Sequence, residues 1–121
     1  MNTNLLTADN RDRLLRNGRL SRQLSAGGEA VPDFLPVVKL FTPDTGFAWL
    51  LTELDPDDID LAYGLCDLGM GCPETGSVRI SKLESFHGRI GLSVERDVRF
   101  KPIKTLSAYA DEAWEHGAVI A

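Results

Sequence analysis

Apolar residues change their rhythm along this chain at about position 34. Before it they are sparse, and Leu14 and Leu15 are the strong apolar pair of a polar first stretch. Thr7 is placed to cap a helix running through Arg16, with Asn17-Gly18 as its left-handed stop. LSAGGEAVPD (24–33) holds paired Gly and a Pro and reads as a linker, which leaves the first helix a mobile or loosely docked arm. PVVKLFT (36–42) and FAWLLTEL (47–54) are rich in β-branched and aromatic residues and flank PDTG, so they predict a β-hairpin. FAWLLTEL is apolar in both phases, Phe47, Trp49 and Leu51 against Ala48, Leu50 and Leu54, which predicts a central strand covered on both faces.

The next elements are shorter. LAYGLCDL (61–68) alternates Leu61, Tyr63 and Leu65 with the small Ala62, Gly64 and Cys66, a face against which a helix can pack closely. GMGCPETG (69–76) is turn-rich, and SVRI (77–80) predicts a fourth strand. Ser81 and Glu84 have capping-box spacing for a short helix that Gly88 ends. GLSVERDVRF (91–100) puts Leu92, Val94, Val98 and Phe100 in one strand phase, with Arg96 among them. An inward Arg requires partners or a bulge. TLSAYADEAWEHG predicts an amphipathic helix with Leu106, Ala110, Ala113 and Trp114 on its apolar stripe and Gly117 as its stop. The sum is an α+β fold with a mostly antiparallel sheet of about four or five strands and two or three helices. Residues 1–33 form a basic helix and Gly/Pro linker, and residues 34–121 form the domain.

The length, 121 residues, suits one modest core. No apolar run approaches the roughly 20 residues that span a bilayer, and no apolar segment follows the charges of the start. A cytoplasmic protein without a membrane partner is expected, and Cys66 and Cys72 are expected as thiols. The net charge of -5 is segregated: residues 1–25 carry +3, 29–75 carry -9, 76–104 carry +4 and 105–121 carry -3. Such blocks are either solvated faces or a polarised surface that steers a charged partner.

TELDPDDID (52–60) places five carboxylates in nine positions. As a calcium loop it fails, because its sixth position is Asp60 in place of Gly and its twelfth is Cys66 in place of a bidentate Glu. Cys66, Cys72, His87 and His116 match no zinc spacing. Neither a metal nor a cofactor is expected, and no residue is assigned as catalytic. An enzyme alternative would gather Glu53, Glu95, Asp97 and Arg96 into one cleft. A nucleic-acid alternative would use the arm residues Arg11, Arg13, Arg16, Arg19 and Arg22, although the interleaved aromatics of a stacking platform are missing.

One resemblance extends over about residues 36–110. KLFTPD, the Trp followed by Thr-Glu-x-Asp, GLCDLG, Glu-x-Gly before a strand, LES-x-x-Gly and GL-x-VERD-x-x-Phe occur in one order. The run resembles the family catalogued as domain of unknown function family 2958, with Ser93 where members often have Pro. The resemblance implies a small bacterial protein of plasmids, phage-like regions and integrative elements, and no defined activity. It favours a non-catalytic binding protein acting on a host or element-encoded protein, as an accessory or an inhibitor of host defence. The positions matching the pattern that could carry a shared surface are Thr42, Asp44, Trp49, Glu53, Asp55, Asp67, Glu74, Glu84, Glu95, Arg96 and Asp97.

Overall fold

The computed structural model describes residues 5–88 and 90–121. Three helices and a five-stranded sheet follow in the order α1 (Ala8–Ala26), β1 (Val38–Phe41), β2 (Ala48–Asp55), β3 (Asp58–Asp67), β4 (Glu74–Arg79), α2 (Ile80–Ser85), β5 (Glu95–Arg96) and α3 (Leu106–His116). The sheet order is β4-β3-β2-β1-β5, and every pairing is antiparallel. The α+β expectation holds.

β2 is central and covered on both faces, as its two apolar phases predict. Trp49, Leu51 and Leu54 belong to a core with Leu14 of α1 and Ile80 and Leu83 of α2. Leu50 joins Leu65, Leu106, Tyr109 and Ala113 in a second core beneath α3. The change of phase between Leu51 and Leu54 needs a register shift, and one occurs between Leu51 and Glu53.

α1 differs from its sequence reading. Its start is as expected, since Thr7 Oγ1 accepts from Asn10 N at 3.0 Å while Asn10 Oδ1 accepts from Thr7 N. It does not stop at Asn17-Gly18 but continues to Ala26, and those two residues contact the sheet. β1 pairs with β2 only as far as Leu51, and α1 lies against the stretch beyond. Asn17 Nδ2 donates to Thr52 O at 2.9 Å, and a Cβ on Gly18 would stand 1.8 Å from Leu54 O. The arm is therefore docked and not loose. Its linker is also held: Leu106 N donates to Phe34 O at 2.8 Å, and Asp33 accepts from Ser107 N at 3.1 Å and from the Ser107 hydroxyl. Asp33 thus caps α3, where the nominal cap Thr105 makes no side-chain capping bond.

Other elements also differ from the sequence reading. Gly64 makes room for neighbouring β2 and not for a helix, since a Cβ there would lie 2.0 Å from Leu50 O. β4 begins at Glu74, ahead of the expected strand. Ser81 does not form a capping box with Glu84. Its N–H and hydroxyl bond Asp60 Oδ1 and Oδ2 at 2.9 and 2.7 Å. The expected strand over 91–100 shrinks to Glu95–Arg96, with Val94 buried but Leu92 and Val98 exposed. Trp114, expected on the buried stripe of α3, is 63% exposed.

Candidate functional site

The acidic stretch is a hairpin tip, in which only Pro56 and Asp57 form the turn. Asp58 and Asp60 already belong to β3. The carboxylates of the tip stay partly to fully exposed, and cations from two neighbouring elements reach them. Arg22 of α1 reaches Asp55 Oδ1 at 3.0 Å and Asp57 Oδ2 at 2.5 Å. Arg79 of β4 reaches Asp58 Oδ2 at 3.0 Å and Asp60 Oδ2 at 3.6 Å. The Ser81 hydroxyl above all, with its N–H and Arg79, holds the Asp60 carboxyl below its ordinary range.

Glu53 is the exception. It lies at the register shift of β2, half-buried, and its one side-chain hydrogen bond among the described residues is from Ser21 Oγ of α1 to Oε2 at 3.1 Å. Burial pushes its carboxyl above the ordinary range, against the Ser21 bond and with added repulsion from Asp55. Two depressions meet over it. The first, about 270 Å³, runs from Ser21, Arg22 and Ser25 of α1 to Tyr63 and Ser77. The second, about 460 Å³, continues over Thr52 and Thr75 to Asp33 of the linker and Ala110 and Asp111 of α3. Glu53 and Tyr63 line both, so the two make one groove from α1 to α3. Its walls carry the acids Glu53, Asp55, Asp33 and Asp111 against the single cation Arg22. Such a surface can accept a cation or a proton. No Cys or His lines it, so it offers no thiol or imidazole nucleophile.

The remaining sequence candidates are scattered. Trp49 is core, 3% exposed and edge-on to Phe47 at 6.4 Å. Asp67 is buried and structural, with Oδ1 accepting from Gly69 N at 2.9 Å and Oδ2 from Val119 N at 3.0 Å. Asp44 sits in the β1–β2 turn, where Oδ2 accepts from Ile90 N at 2.8 Å. Thr42 is buried in the same turn, and its Oγ1 accepts from Phe47 N at 3.0 Å. Glu74 is exposed at the start of β4, while Glu84 lies within α2. Arg96 needs no bulge, because its Nη1 donates to Leu5 O at 2.7 Å. Asp97 Oδ2 stands 3.7 Å from Lys39 Nζ, and Glu95 is exposed on β5.

Glu53 lies two strands away from Glu95, Arg96 and Asp97, and the depressions that Glu53 lines hold none of the other three, so the four residues do not share one of those depressions. Of the arm residues, Arg22 is occupied by the hairpin tip and Arg13 lies 3.7 Å from Asp9. Arg16 and Arg19 point outward from α1, and Arg11 is half-exposed. Among the described residues no group of three or more His, Cys, Asp or Glu could hold a metal, and no helix is long and apolar enough to cross a membrane. What the sequence reading missed is Tyr63, Asp33, Ser21 and Asp111 as the surroundings of Glu53. They come from four separate segments and share no motif.

A sequence model of the family described as "Protein of unknown function (DUF2958)" matches residues 5–120, which extends the resemblance over α1 and α3. No curated protein and no solved structure gives a significant match.

Proposed function

Since the chain belongs to this family, whose description names no activity, we propose its role from the groove: a non-catalytic protein that binds a cationic, extended segment of a partner protein. The observation that carries this reading is Glu53, half-buried with a single hydroxyl donor at the meeting point of two depressions. A buried carboxylate that has lost hydration gains most from an incoming ammonium or guanidinium. The other groove acids, Asp33, Asp55 and Asp111, extend the same sign of charge along the groove, and Tyr63 supplies an aromatic face for an Arg side chain.

Binding a cation beside Glu53 expels its proton, so affinity rises with pH through the raised Glu53 pKa. The family resemblance supports a bacterial, cytoplasmic setting on a mobile element, in which the partner is a host or element-encoded protein and the role is accessory or inhibitory. Of the arm, the nucleic-acid reading keeps Arg11, Arg16 and Arg19, which form no ion pair among the described residues, because Arg22 is clasped and Arg13 lies beside Asp9. Fluorescence anisotropy with a labelled Arg-rich peptide, an acidic peptide and a DNA oligonucleotide tests the proposal. The Arg-rich peptide is expected to bind, more weakly at high salt, and Glu53→Gln to weaken it about tenfold. Equal binding of the acidic peptide, tighter binding of DNA, or indifference to Glu53→Gln overturns it.

A further inference from the structure

α3 buries Leu106, Tyr109 and Ala113 against the sheet, yet its one Trp, Trp114, is 63% exposed. Among the described residues no ring or cation stacks on this indole. Its place on the helix is informative. Residues three and four apart share one flank of an α-helix, and Ala110 and Asp111, which line the groove over Glu53, precede Trp114 by four and three positions. Trp114 therefore stands on the groove flank of α3, about 5 Å further along the helix than Asp111. The opposite flank is already occupied, since Lys104 Nζ reaches Glu112 Oε1 at 2.7 Å and Phe100 packs on Tyr109.

The charges beside Trp114 have the sign of the groove. Asp111 and Glu115 are both exposed, and among the described residues neither forms an ion pair. Like charges four apart on a helix repel, and a carboxylate in the last turn opposes the helix dipole. Neither acid helps α3 to form, and both favour a cation that arrives from outside.

We infer that Trp114 is a second anchor of the groove, its indole face stacking on an Arg guanidinium of the same partner segment whose first cation pairs with Glu53. A planar guanidinium lies flat on an indole while its N–H groups reach a carboxylate beside it, which the compact ammonium of Lys does less well. The partner that fits is an extended segment with at least two cationic residues, one at Glu53 and Tyr63 and an Arg at Trp114. This inference rests on the groove reading above and adds to it a second point of contact and a preference for Arg.

Intrinsic fluorescence of the full chain tests it. The chain has two Trp, and Trp49 is 3% exposed, so acrylamide quenching reads chiefly Trp114. The Arg-rich peptide is expected to shield Trp114 from the quencher. By anisotropy, Trp114→Ala is expected to weaken that peptide about fivefold and Trp114→Phe about twofold, with circular dichroism unchanged. A Lys-only peptide of the same length is expected to lose less than twofold on Trp114→Ala, and an equal loss for the two peptides overturns the assignment to Arg. If the Arg-rich peptide binds while Trp114 stays as open to the quencher as in the free chain, or binds Trp114→Ala as tightly as the wild type, the inference fails and the groove reading stands. Absence of binding to the wild-type chain overturns both.

Discussion

Gly18→Ala separates helix propensity from tertiary contact with opposite signs. Gly18 lies inside α1, where Ala is intrinsically favoured by about 1 kcal/mol. Propensity alone therefore predicts a more stable protein. The structure predicts the reverse, because the new Cβ would stand 1.8 Å from Leu54 O, while such contacts are not formed below 3.0 Å. α1 must retreat by more than 1 Å from β2, or the bulged strand must deform. Retreat breaks the 2.9 Å bond from Asn17 Nδ2 to Thr52 O, leaving a part-buried carbonyl at a cost of about 1–3 kcal/mol. It also loosens the packing of Leu14, which is fully buried, by about 1 kcal/mol. Strain from the misfitted methyl adds about 1–3 kcal/mol. After subtracting the helix gain, the net loss is about 2–6 kcal/mol, or roughly 8–24 °C in melting temperature for a chain of this size. Urea unfolding followed by circular dichroism measures it, with Gly76→Ala as the control because its methyl has free space. An unchanged or raised midpoint for Gly18→Ala would refute the docking geometry of α1.

Three other substitutions test separate features. Glu53→Gln raises the melting temperature at pH 7 and leaves it unchanged near pH 4: a folded pKa above the unfolded value stabilises below the unfolded pKa and is lost as pH rises through the folded one. Thermal melts at the two pH values show this, and an equal effect at both would contradict the burial of its charge. Asp67→Ala strands the N–H groups of Gly69 and Val119 and is expected to cost about 2–4 kcal/mol in urea unfolding; a loss below 1 kcal/mol would contradict that role. Asp60→Asn lowers stability above about pH 4, because a depressed folded pKa stabilises above the unfolded value and loses that contribution as pH falls through the folded one. Its melting temperature should therefore fall less between pH 5 and pH 3 than that of the wild type, and parallel curves would contradict the Ser81 contact.

The parts of the fold legible in the sequence are those governed by near neighbours. Alternation in FAWLLTEL gives β2 and its two covered faces, Thr7 gives the start of α1, and Gly117, left-handed at φ 74°, gives the end of α3. The misreadings fall where a residue with a local meaning serves a distant segment. Asn17-Gly18 resembles a helix stop but is a contact with β2, and Ser81 resembles a capping residue but bonds Asp60. Of the candidate site, Glu53 and Asp55 were legible in the sequence. Their surroundings are set by which strands adjoin, by the register shift at Thr52 and by the crossing of α1, none of which has a short-range signal.

The docking of α1 also has a consequence for the order in which the chain folds. Asn17 meets Thr52 across 35 positions, and Asp33 meets Ser107 across 74. During synthesis the first helix leaves the ribosome well before the strand it rests on, and α3 acquires its cap from a segment made much earlier. Loops of that length close slowly relative to helix formation, so α1 is expected to form and fray repeatedly until β2 arrives. The apolar side of α1, Leu14 foremost, is exposed for that interval, which makes it the segment of a nascent chain that a chaperone would hold.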